Sequence, residues 1–75
     1  VILHLVFRRA VMTVIKIAEI IKQKRKILKV DQQTVCDYTG ISVNTLSAIE
    51  RGKANPSLNT LITICDFLGL EIRII

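Results

Sequence analysis

Between Gln32 and Gly52 the chain reads QQTVCDYTGISVNTLSAIERG, and this stretch leaves little freedom to the fold. It predicts two short helices joined by a tight turn. Asp31 is placed to cap the first helix. Gly40 is placed to end it, in the left-handed conformation that glycine adopts without strain. Ile41 anchors the turn and Ser42 is placed to cap the second helix. Leu46 and Ile49, three apart, suit one inward face. The opposite side shows Val43, Asn44, Ser47 and Ala48, which are small, uncharged and partly polar. Such a face approaches base edges with no steric or charge penalty. Two helices about a turn apart, the second with a bare polar face, are what a helix-turn-helix needs.

The rest of the chain arranges itself around this unit. A first helix is expected from about Val14 or Lys16 to Leu28, with Ile17, Ile21 and Leu28 inward and Ile20 widening the stripe. Lys22, Gln23, Lys26 and Lys29 fill its outer face, and Val30 enters the core before Asp31. The second helix spans about Gln32 to Thr39, with Val35 and Cys36 inward, and the third about Val43 to Arg51. Pro56 keeps the following loop from being helical. Ser57 then caps a fourth helix whose Leu58, Leu61, Ile62, Cys65 and Leu68 make an inward stripe up to Gly69. Leu70 to Ile75 alternates apolar and polar with period two, as a half-buried strand does. Such a strand needs a partner for its backbone. The economical partner is the same strand of a second copy about a two-fold axis, with Leu70, Ile72 and Ile74 carrying the dimer. The competitor is the apolar segment Val1 to Phe7.

That opening segment has three readings: an added strand, a tail, or residues preceding a natural start at Met12. The last is favoured, which divides the chain into an extension, residues 1–11, and a helix-turn-helix domain, residues 12–75. Arg8 and Arg9 follow the apolar run instead of preceding it, unlike a signal peptide, and seven residues are too short to span a bilayer. His4, the sole histidine, takes no role.

At 75 residues this is one small domain, marginal alone, so oligomerisation is expected on size. The net charge of +5 favours a polyanionic partner. Lys16, Lys22, Lys24, Arg25, Lys26 and Lys29 cluster with Glu19 as the one acid among them, a grouping that gains most beside phosphates. A solvated basic surface is the plain alternative. Cys36 and Cys65 have neither a disulfide framework nor a metal spacing, which points to buried thiols in a reducing, cytoplasmic setting without metal or cofactor. No nucleophile–base pair, facing carboxylate pair or phosphate loop is present, so an enzyme is not expected.

Arg25, Gln32, Val35, Gly40-Ile41-Ser42, Thr45-Leu46-Ser47, Ile49-Glu50-Arg51-Gly52 and Asn55-Pro56-Ser57 occur in order, before a last apolar helix. This set resembles the Xre, or Cro and phage-repressor type, helix-turn-helix family from about Ile17 to Gly69. Any one piece is weak; the ordered combination is specific. Cys36 stands where the family usually has alanine and Thr39 where leucine is common. The resemblance implies an all-α, four- to five-helix, lambda-repressor-like domain, here with a short C-terminal β-strand for dimerisation in place of the usual fifth helix. It also implies an ion pair between Arg25 and Glu50, and a phosphate contact from Gln32 at a helix N-terminus. The strand resembles HipB-type antitoxins, which gives an alternative reading: a protein that holds a toxin kinase and autoregulates its operon.

In the third helix Asn44 is the best base reader, because its amide pairs bidentately with adenine N6 and N7. Val43 and Ala48 suit thymine methyls. Ser42, Thr45 and Ser47 suit phosphates or base edges, and Lys53 and Asn55 suit backbone phosphates. Arg51 either meets phosphate or finishes the helix with a favourable charge. The resulting expectation is a homodimeric transcriptional regulator that binds an inverted-repeat operator in duplex DNA. Its rivals are the antitoxin and a basic peripheral membrane binder using the apolar N-terminus with Arg8 and Arg9.

Overall fold

The computed structural model describes residues 2–3 and 10–74. Four helices make the fold: α1 (Ala10–Ile27), α2 (Gln32–Thr39), α3 (Val43–Glu50) and α4 (Leu58–Leu68). Both α1 and α2 pack on α3 and on α4. Ile21, Val35, Cys36, Leu46, Ile49, Ile64, Cys65 and Leu68 form the buried cluster they share. It is aliphatic apart from two thiols, which burial pushes to higher pKa, so both stay protonated and unreactive near neutral pH.

Helices α2, α3 and α4 start in the same way. Asp31, Ser42 and Ser57 hold extended backbone, and each side chain accepts from the amide three residues on, at Thr34, Thr45 and Thr60. Each cap thus satisfies one of the amides a helix start leaves without an intrahelical partner. Gly40 closes α2 at φ 76°, its N–H donating to the Cys36 carbonyl. Thr39, in place of the family's leucine, donates its hydroxyl to the Val35 carbonyl at 2.7 Å and so completes the turn with a polar contact.

The Thr34 hydroxyl, and next its amide, hold the Asp31 carboxyl below the usual carboxylate range. A lowered folded pKa means a contribution that is complete above the ordinary value and is lost as pH falls through the lowered one. Asp31→Asn keeps a capping oxygen but removes the titration. Its melting temperature should therefore fall less steeply than the parent's between about pH 5 and about pH 2. Identical slopes would show that Asp31 takes no part in acid unfolding.

Several expectations need correction. α1 begins at Ala10, not at Val14 or Lys16, and runs through Met12. Leu28 lies beyond its end and is exposed, so it is no part of the inward stripe. In α4, Leu58 and Ile62 are exposed, whereas Ile64 is fully buried. The inward stripe is Leu61, Ile64, Cys65 and Leu68.

Among the described residues the six-residue C-terminal strand is not formed either. A two-residue segment, β2 (Arg73–Ile74), runs parallel to β1 (Ile2–Leu3) of the same chain, with Ile2 opposite Arg73 and Leu3 opposite Ile74. Leu70 and Ile72 pack against their own core. The backbone partner of this segment is therefore β1, part of the competing segment Val1 to Phe7 of the same chain, in place of the same strand of a second copy. The side chain of Ile74, and the whole of His4, Arg8 and Arg9, lie outside the described residues.

Candidate nucleic-acid interface

The position of α3 is set by one polar cluster. Glu50, the last residue of α3, has a side chain only 3% exposed. Arg25 Nε donates to its Oε2 at 2.7 Å and Arg25 Nη2 to its Oε1 at 2.9 Å. This two-point fork is the strong form of carboxylate recognition. Arg25 Nη1 donates to the Val30 carbonyl in the α1–α2 connection at 2.9 Å. Gln32 Nε2, at the first residue of α2, donates to Glu50 Oε1 at 3.2 Å. One guanidinium and one carboxylate therefore join α1, the connection, α2 and α3. The hydrogen bonds to Glu50 push the Arg25 pKa up further, so Arg25 stays charged.

This geometry gives Gln32 a second role. A side-chain amide has two N–H donors. One is committed to Glu50, and the other remains for an acceptor outside the protein. The residue is half-buried, at the helix start where α2 leaves amides unbonded.

On α3, Val43, Asn44 and Thr45 are exposed, and Ser47 and Ala48 are half-buried. The Asn44 amide has no hydrogen bond among the described residues, so its donor and acceptor are both available. Ser42 is largely occupied: Oγ accepts from Thr45 N at 3.1 Å and donates to Thr45 Oγ1 at 2.8 Å. Thr45 keeps its own hydroxyl proton for a further acceptor. Arg51 folds back, its Nε donating to the Ser47 carbonyl at 3.2 Å. It finishes the helix end in this structure. Lys53 and Asn55 are exposed in the loop after α3.

The residues singled out in the sequence thus form two groups. Gln32 meets the Arg25–Glu50 cluster at the start of α2, and residues 42–48 form the open side of α3. The candidate dimer residues Leu70 and Ile72 lie apart from both, against the core. The link from Gln32 to Glu50 is not foreseeable from residue types, since an exposed amide at a helix start has no preferred direction.

Comparison with known proteins agrees with this geometry. The family model described as helix-turn-helix matches residues 21–75. An uncharacterized HTH-type transcriptional regulator of Methanocaldococcus jannaschii is 34% identical over 53 residues, which are 71% of this chain and 80% of that protein. The fold is similar to the crystal structure of the restriction-modification controller protein C.AhdI from Aeromonas hydrophila. That match has a TM-score of 0.74 at 22% identity and covers 80% of this chain and 91% of the other. With its capped two-helix unit, its Arg25–Glu50 cluster and a family match that spans both, the chain belongs to the helix-turn-helix family, of the Xre type.

Proposed function

We propose that the chain is a DNA-binding transcriptional regulator that sets α3 in the major groove of an inverted-repeat operator. The observation that carries this reading is the open side of α3. Val43, Asn44 and Thr45 are exposed there without a charged side chain among them, and the Asn44 amide is unengaged. Base edges offer partners for such groups, whereas phosphates would favour cations. The nearest cations in sequence after this helix are Arg51, turned back to the Ser47 carbonyl, and the exposed Lys53. With no arginine or lysine on the reading side, the preferred half-site should be rich in A·T pairs at the positions α3 reads. Gln32, Ser42, Thr45, Ser47, Lys53 and Asn55 serve phosphates or base edges, and Val43 and Ala48 serve thymine methyls. The regulator-named relative supports the same reading.

The surface offered for a homodimer joins one side of α4 to the C-terminal segment. Leu58, 55% exposed, and Ile62 line a shallow groove of about 380 Å3 together with Cys65, Asp66, Glu71 and Ile72. An apolar helix face of this kind on a small domain suits a second copy. The antitoxin alternative rested on a long C-terminal strand, and that feature is now two residues. The peripheral-membrane alternative rests on the apolar N-terminus with Arg8 and Arg9, and residues 4–9 lie outside the described residues.

Selection of bound duplexes from a random DNA library tests the reading. The expected result is an inverted repeat whose half-sites are separated by about one helical turn, roughly 34 Å. A single unrepeated site would remove the dimer and keep DNA recognition. No enrichment at all would remove sequence-specific DNA binding.

A further inference from the structure

Three of the four helices end with the same pair of backbone bonds. After α3, Gly52 N donates to the Ile49 carbonyl at 3.0 Å and Lys53 N to the Ala48 carbonyl at 2.9 Å. After α4, Gly69 N donates to Asp66 at 3.2 Å and Leu70 N to Cys65 at 2.7 Å. After α1, Lys29 N donates to Lys26 at 3.0 Å and Val30 N to Arg25 at 3.1 Å. This closure requires one residue with positive φ. Gly52 and Gly69 supply it at 69° and 74°, and Lys29 supplies it at 58°. Lys29 is the one non-glycine residue with positive φ among the described residues.

The contrast with the glycines is informative. A Cβ added at Gly40 or Gly69 would meet no heavy atom within 4 Å. Glycine stands at those two positions for the backbone's sake, not for space. At position 29 the same backbone demand meets a lysine, which is not even one of the polar residues that tolerate this conformation. Packing does not call for the side chain, because Lys29 is exposed and its side chain has no hydrogen bond or ion pair among the described residues. The helix dipole does not call for it either, since Lys24, Arg25 and Lys26 already occupy the last turn of α1. A strained position held without structural return points to a contact outside the chain.

We propose that Lys29 is a DNA phosphate contact, which extends the footprint from the two-helix unit to the corner between α1 and α2. The inference rests on the DNA-binding reading above. Lys29 is three residues before Gln32, and two before the cap that starts α2. The corner therefore adds an exposed cation to the connection that leads into α2, whose first residue is Gln32.

The test compares the full chain with Lys29→Gly, Lys29→Asn and Lys29→Arg. Melting temperature is measured, and so is affinity for the selected operator and for random duplex across a salt series. Lys29→Gly should melt higher than the parent and yet bind both DNAs more weakly. Its plot of log affinity against log salt should be shallower by about 0.9, so the loss is about 3.5-fold larger at 50 mM than at 200 mM salt. Lys29→Asn should show the same loss, and Lys29→Arg should keep the parent slope. A Lys29→Gly protein that melts no higher, or that binds with the parent's slope, overturns the proposal while leaving DNA binding intact. If the parent itself binds no duplex, the DNA-binding reading falls and this proposal falls with it.

Discussion

Glu50→Ala is expected to lower the unfolding free energy by about 3 kcal/mol, the lower end of what breaking a buried ion pair costs. The loss comes mainly from what is left behind. Arg25, its side chain only 12% exposed, would keep its charge and lose both bonds of the fork. Its remaining bond, to the Val30 carbonyl, neutralises nothing. A chain of this length has a total stability of roughly 4–11 kcal/mol, so the variant would spend a large share of it. The melting temperature should fall by roughly 12–24 °C. Arg25→Ala together with Glu50→Ala removes the orphaned charge and should recover part of the loss. If the double variant is as unstable as the sum of the singles, the two side chains are not coupled. Gln32→Ala should cost far less, because it removes one neutral donor of a carboxylate that still has two.

The helices whose ends carry chemistry were legible in the sequence, and the one start without it was not. Asp31, Ser42 and Ser57 announce α2, α3 and α4, and Gly40 and Gly69 announce two of their ends. Directly before α1 stands Arg9, where the other helices have Asp31, Ser42 and Ser57, so a stripe-based reading starts it too late. α4 shows a different limit. Its sequence LNTLITICDFL is apolar on more than one side, and helical periodicity admits a stripe through Leu58 and Ile62 as readily as one through Ile64. The choice is made by the position of α1 and α2, which is tertiary information. The C-terminal alternation is real, and Leu70 and Ile72 are partly buried against this chain's own core. Period-two patterning shows that a face is buried and does not show which chain buries it.

At the candidate interface, residue types suggest uses, and orientations come only from the structure. An asparagine on a bare helix face has one evident use against DNA. A glutamine at a helix start has several, and only the structure shows Gln32 turned toward Glu50. The same carboxylate therefore aligns α3 against α1 and fixes the direction of an amide on α2. In this arrangement the stability of the fold and the geometry of the candidate interface share one residue. That is why stability and binding must be measured together in each variant.

Asn44→Ala is expected to cost about 1–3 kcal/mol on the selected operator, roughly 5- to 150-fold in affinity, with little change on random duplex. The residue is exposed on α3 and makes no hydrogen bond among the described residues, so truncation leaves no protein group unsatisfied. Folding stability should stay close to the parent's, which separates this variant from Glu50→Ala. The affected base position should change from a strong preference to near indifference when the library selection is repeated. Adenine is the expected base, because N6 and N7 match the donor and acceptor of the amide. Lys53→Ala provides the contrast. A phosphate contact carries no sequence information, so operator and random duplex should weaken together and the salt slope should flatten by about 0.9. If Asn44→Ala weakens both DNAs equally, Asn44 positions the helix without reading a base, and the sequence preference must come from Val43, Thr45 or the shape of the DNA.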